Sequence, residues 1–206
     1  GPAAAAHLGK QQGNTGRSIA QWPVVGEWLG VFIQRKAKTV RSSRTENKAP
    51  SFLPALVMYA FTLKRVRRFR RMLAQRRRGL IVIADRYPQM DIANSFACPD
   101  MSVTAEGSAL VRWLARREKK HFEWMTSYRP DLVIRLNVDV DTAFARKPDH
   151  SHASLTRKIS IAPKLTFNGA TIAEIDASRP LDEVLAAVKA AAAQTLSGRG
   201  YQRHDI

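Results

Sequence analysis

The chain has little cysteine, few acids and no long apolar run, and each shortage removes a class of answer. A single cysteine, Cys98, among 206 residues excludes an internal disulfide and a cysteine-rich metal site, and fits a reducing, cytoplasmic compartment. The longest apolar run, Leu53 to Leu63, is interrupted by Pro54, Tyr59 and Thr62 and is too short to span a bilayer. The opening "GPAAAAH" lacks the basic stretch and apolar centre of a secretory signal. There is no initiator methionine, so Gly1-Pro2 reads as a processing scar or as the start of a fragment. Acids are outnumbered: 17 Asp and Glu face 34 Lys and Arg, a formal charge of +17. Such a surface attracts nucleotides, nucleic acid or acidic lipid headgroups, without choosing among them.

What is present suffices for one well-buried domain, with 45% hydrophobic residues. Residues 1–50 read as an irregular segment with a polar linker, 51–196 as an α/β domain and 197–206 as a flexible tail; a short helix between Glu27 and Lys38 is compatible with the first of these. From about Leu53 to Arg77 the pattern is helical. Leu56, Ala60, Leu63, Val66, Phe69 and Leu73 form one face; Lys64, Arg65, Arg67, Arg68, Arg70 and Arg71 form the other. Gly79 stops that helix, and Leu80 to Ala84 is an apolar, β-branched run expected to be a strand buried on both faces. A second long helix is expected within 105–128, with Leu110, Trp113, Leu114, Phe122 and Met125 on its apolar side. Asp131 to Val138 reads as a strand, Asp139 to Arg146 as a short helix, and "KPDHSHASLTRK" as a charged loop or lid. A third strand ends in Asp176, and a closing helix begins near Pro180. Alternating helices and strands imply parallel crossovers and a three-layer α/β sandwich.

Three stretches carry a resemblance, in order. "LIVIADRY" is similar to the apolar strand and Asp-Arg-Tyr motif of thymidylate kinases, in the P-loop nucleoside monophosphate kinase superfamily. "RPDLVIRLNVDVDTAFARK" resembles that family's Pro-Asp-Leu strand, turn and Arg-bearing helix. "EIDASRPLDEVLAAV" resembles its closing strand and helix. The variant "DRYPQ" with "KPDH" looks closest to thymidylate kinase-like proteins encoded beside bacterial surface-polysaccharide genes. The resemblance implies a P-loop kinase-like fold and phosphoryl transfer from ATP with Mg2+ to a nucleotide or other small-molecule phosphate acceptor. In that scheme Asp85 orients the acceptor or a magnesium-bound water, and Arg86 meets the acceptor phosphate. Tyr87 and Gln89 contact substrate, Arg146, Arg157 and Lys158 close over phosphates, and Asp176 and Ser178 flank the adenine.

Departures from the family pattern are plain. A G-x-x-x-x-G-K-[ST] loop is absent; "GPAAAAHLGKQQ" has seven residues between its glycines and no Ser or Thr after Lys10. "AAAAHLGK" instead resembles the end of the family's second strand. The first strand and phosphate loop are therefore expected to be missing by truncation, and the chain as given to bind ATP poorly. The thymine-contacting stretch is also unmatched, and Asn137 stands where the family has Asp.

Plainer readings stand beside these. Asp85–Arg86 is also what a salt-bridged strand end looks like, and the 147–158 charges fit a solvated loop. Asp149, His150 and His152 lack a regular element to fix metal-ligand spacing, and Cys98 suits a small buried residue. The basic face between Lys64 and Arg78 supports a rival function: a non-catalytic module for polyanions, nucleic acid or an acidic membrane surface, giving a membrane-peripheral location. A homodimer is compatible with either.

Overall fold

The computed structural model describes residues 3–8, 50–93, 95–104, 107–148 and 151–200. The suggested helix between Glu27 and Lys38, Asp149, His150 and positions 201–206 lie outside the described residues. The chain divides into two compact units, Ala3–Tyr87 with Pro99–Glu123, and Gly1–Pro2 with Pro88–Cys98 and Trp124–Ile206. The domain expected over 51–196 is distributed over both.

In the first unit, strand β1 (Ala3–His7) precedes helix α1 (Phe52–Arg77), strand β2 (Ile81–Asp85) and most of helix α2 (Ala109–Thr126). β1 lies at the start of the segment read as irregular, on the stretch "AAAAHLGK" that resembles a strand end. Alanine is a weak strand former, and the strand exists because it pairs in parallel with the β-branched β2. The register runs from Ala3 opposite Ile81 to His7 opposite Asp85. β2 lies one residue later than expected, and Ile83 is 69% exposed, so this strand is not covered on both faces.

Helix α1 tolerates Pro54 in its first turn, where the missing N–H has no intrahelical acceptor. It ends where Gly79 takes φ +80°, a left-handed value that suits glycine. Its buried residues are Ala55, Thr62, Arg65, Val66, Phe69, Met72 and Leu73. Val66, Phe69 and Leu73 match the expected face, whereas Leu56 and Ala60 are exposed and Arg65, assigned to the basic face, is 5% exposed. Helix α2 buries Val111, Leu114, Ala115, Glu118, Phe122 and Met125 at helical spacing, leaving Leu110 and Trp113 outside. The first turns of the two helices meet in a cluster of Ala55, Val111, Leu114, Ala115 and Met101.

The second unit holds strand β3 (Val133–Asn137), helices α3 (Val140–Arg146) and α4 (His152–Ile161), a 3-10 turn (Ala162–Lys164), strand β4 (Ile172–Asp176) and helix α5 (Leu181–Ser197). β3 and β4 pair in parallel, from Val133 opposite Ile172 to Asn137 opposite Asp176. Asp139 caps α3 by accepting from the Thr142 N–H, and that bonding holds its carboxyl below the ordinary range. The segment read as a charged loop is largely α4. Ser151 caps it by accepting from Ser154 N–H, and Leu155 supplies its buried contact. Among the described residues the architecture is thus α/β with two small parallel sheets and five helices.

Candidate functional site

The chemistry-bearing residues fall into two groups, one at the carboxyl end of each strand pair. In the first unit, β1 and β2 end side by side, and their last residues touch: His7 Nδ1 lies 2.9 Å from Asp85 Oδ2. The Asp85 side chain is 64% exposed, and Arg86 Nε lies 4.0 Å from the same oxygen. Arg86 turns the chain with φ +56°, a left-handed value costing a non-glycine residue about 1–2 kcal/mol. That turn ends the ladder and leaves a carboxylate, an imidazole and a guanidinium facing water. Tyr87 points the other way, packing edge-on against Phe69 of α1 with ring centroids 5.7 Å apart.

A buried polar layer supports this end. The Leu8 N–H donates to the Asp85 carbonyl (3.0 Å), extending the ladder by one bond. Arg65 Nε donates to the Leu8 carbonyl (2.9 Å), and its guanidinium lies 5.2 Å from the centre of the Phe122 ring. Glu118, fully buried, accepts from Thr62 Oγ1 (2.7 Å) and from the backbone N–H groups of Met101 (2.8 Å) and Asp100 (3.2 Å). Buried charges persist when their hydrogen-bonding capacity is met, and these contacts meet much of it. One helical step away, Tyr59 Oη lies 3.2 Å from His121 Nε2. Burial, then Arg70 and Arg117, lowers the His121 pKa.

In the second unit, Arg146 at the end of α3 donates to the carbonyls of Ala177 (2.6 Å) and Ser178 (3.2 Å). The turn after β4 is also held from inside: both the N–H and the hydroxyl of Ser178 donate to Asp176 Oδ1. Those bonds, with Arg179 nearby, hold the Asp176 carboxyl below its ordinary range. Arg146, Asp176 and Ser178 are therefore brought together, with Arg146 clamping the turn through backbone carbonyls. Arg157 and Lys158 are exposed on α4, where the expected lid is a helix.

Gln89 is 1% exposed, and its amide is committed inside its own loop. Nε2 reaches Ile92 O, Ser95 Oγ and Phe96 O, while Oε1 accepts from Ile92 N–H. The side chain thereby shapes the loop that follows the Asp-Arg-Tyr motif. Cys98 is buried at the end of that loop, as expected.

Sequence reasoning missed His7, Arg65 and Glu118. Glu118 carried a signal: an acid four residues after Leu114 and four before Phe122 sits in the middle of an apolar face. Arg65 was hidden among neighbouring cations, and His7 becomes visible only through the strand register. Among the described residues no group of three or more His, Cys, Asp or Glu could hold a metal ion, and no helix is long and apolar enough to cross a membrane.

Comparison with known proteins gives the family. The chain is 42% identical over 182 residues to "Uncharacterized ATP-binding protein YghS" of Escherichia coli strain K12, covering 88% of this chain and 76% of that protein. It is 37% identical over 180 residues to "Uncharacterized ATP-binding protein YghR" of the same strain, covering 87% and 71%. The chain belongs to the YghS/YghR family. A YghR from Escherichia coli O6:H1 strain CFT073 matches to the same extent, 37% over 180 residues. These YghS and YghR relatives are named as ATP-binding proteins. No family model and no solved structure matches the chain.

Proposed function

We propose that the chain carries the acceptor side of an ATP-dependent phosphotransferase of the thymidylate kinase-like class, on a three-layer, P-loop kinase-like α/β scaffold, and that it is inactive without the phosphate loop the resemblance implies. With that loop it transfers phosphate to a small-molecule acceptor, a nucleotide or a sugar or lipid intermediate of surface-polysaccharide assembly. The observation that carries this reading is the solvent-facing His7–Asp85–Arg86 group at the carboxyl end of a parallel strand pair. Ligands of open α/β sheets bind at such ends. The names of the YghS and YghR relatives supply independent support for ATP as co-substrate.

Phosphoryl transfer relies on positioning and charge more than on covalent chemistry. Asp85 orients the acceptor hydroxyl or a water, with His7 fixing one carboxylate oxygen. Arg86 meets the acceptor phosphate with its planar fork. Arg146 shapes the Asp176–Ser178 turn that the resemblance places beside the base, and Arg157 and Lys158 supply positive charge to the phosphates. An exposed carboxylate such as Asp85 also fits magnesium, a hard cation that binds through one or two carboxylates plus water and phosphate. When bound, magnesium would neutralise charge on the transferring group.

The test is ADP release from ATP across a panel of nucleoside monophosphates, sugars and lipid-linked phosphates, with the protein extended to include a phosphate loop and with its Asp85→Asn variant. Transfer to one acceptor class, reduced at least about 100-fold in the variant at unchanged thermal stability, is expected. Equal turnover in the variant removes Asp85 from the chemistry.

A further inference from the structure

Helix α1 shows one unbroken outer stripe that the active-site reading leaves unused. Leu53, Leu56, Ala60, Lys64, Arg67, Arg71, Ala74 and Arg78 follow at steps of three and four, and every one is exposed. Along this stripe, about 37 Å from Leu53 to Arg78, the chemistry changes halfway. The amino-terminal turns present leucine, joined by Phe52, while the carboxyl-terminal turns present cations. The exposures are large for apolar side chains: 45% for Phe52, 50% for Leu53 and 44% for Leu56. No acid occurs anywhere from Phe52 to Ala84.

Helix α2 repeats the order. Leu110, Trp113, Arg117 and Lys120 are exposed at steps of three, four and three, with Leu110 61% and Trp113 46% exposed. Arg117 lies over the Trp113 ring, 5.2 Å from its centre. The Ala55–Val111–Leu114 cluster brings the first turns of the two helices together, so the two apolar ends belong to one region of the unit.

We propose that this unit docks on an anionic lipid bilayer, with the amino-terminal turns of α1 and α2 in the interfacial layer and their cationic turns over the headgroups. The order of chemistry along the stripes selects this occupant. A nucleic acid would engage the arginines and leave Phe52, Leu53, Leu56 and Trp113 in water. A second copy laid antiparallel would set cations on leucines, and laid parallel would set cations on cations. An anionic bilayer offers negative charge and an apolar layer within the length of one helix.

The experiment is flotation of the full chain with vesicles of phosphatidylcholine alone, or containing about 30% phosphatidylglycerol. Binding is expected on the anionic vesicles and not on the neutral ones. Arg67→Gln with Arg71→Gln should weaken it roughly 30-fold, each cation contributing through headgroup attraction. Leu53→Ser with Leu56→Ser should weaken it roughly tenfold or more through lost apolar burial. All four positions are exposed, so circular dichroism should show the helical content intact. Absence of vesicle binding overturns the proposal, as does indifference to the leucine changes. Displacement from vesicles by duplex DNA bound with equal or higher affinity would assign the stripe to nucleic acid instead. Loss of a dimer on the leucine changes, without vesicle binding, would assign it to self-association.

Discussion

Removing the Glu118 carboxylate tests the idea that a buried acid ties α1 to the backbone ahead of α2. Glu118 is fully buried and joins α1, through Thr62, to the backbone at Asp100 and Met101. Glu118→Ala strands three donors, the Thr62 hydroxyl and the N–H groups of Asp100 and Met101. Each buried donor left unsatisfied costs about 1–3 kcal/mol, so a loss of about 4 kcal/mol is expected. Glu118→Gln keeps the shape and one acceptor oxygen, and Thr62 can accept from the new amide; here about 1–2 kcal/mol is expected. Thr62→Val combined with Glu118→Ala should fall short of additivity by about 1–2 kcal/mol, because both remove the same bond. Urea unfolding followed by far-ultraviolet circular dichroism measures each value. A cost below about 1 kcal/mol for Glu118→Ala, or additivity within about 0.5 kcal/mol, would refute the reasoning.

Arg86, at φ +56°, should give a glycine variant more stable than the alanine variant by about 1 kcal/mol, read from urea midpoints, with phosphoryl transfer by the extended protein lost in both. Equal stabilities would mean that the backbone there is unstrained. His121 has its folded pKa lowered by burial and by Arg70 and Arg117, so the unfolded chain binds the extra proton first. Its stabilising neutral state is complete above roughly pH 6.5 and is lost as pH falls below that value towards the folded pKa. His121→Gln should therefore flatten the stability profile on that acid limb, and an unchanged slope would exclude His121 as its source.

Local order was legible wherever short-range chemistry decides it. The Gly79 stop, the late start of α5 after Pro180 and the strand end at Asp176 follow from residues that act on their own backbone. The α1 face was half legible. Val66, Phe69 and Leu73 follow the apolar period, but in the first turns burial follows Ala55 and Thr62, whose small side chains allow α2 to approach, and the larger leucines are left outside. The 147–158 segment misled because its charges conceal Leu155 and a Ser151 cap, which are enough for a short helix. In the candidate site, Asp85 and Arg86 could be read from the strand-ending motif. The bonds of Gln89 within its own loop could not, because polarity alone does not say which partner an amide takes. His7 depended on a partner strand nearly eighty residues away.

The pairing of β1 with β2 has a consequence for how the site tolerates change. Ala3, Ala4, Ala5 and Ala6 are identical, so nothing in those four side chains distinguishes one alignment of the strand from the next. The information that selects an alignment is concentrated at one end: His7 on Asp85, Leu8 N–H on the Asp85 carbonyl, and Arg65 on the Leu8 carbonyl. A slip of one residue would turn His7 to the opposite face of the ladder. The residue assigned to chemistry is thus also the index mark of the alignment. Asparagine, which still accepts from His7, isolates the loss of charge, whereas alanine at the same position would erase the mark as well.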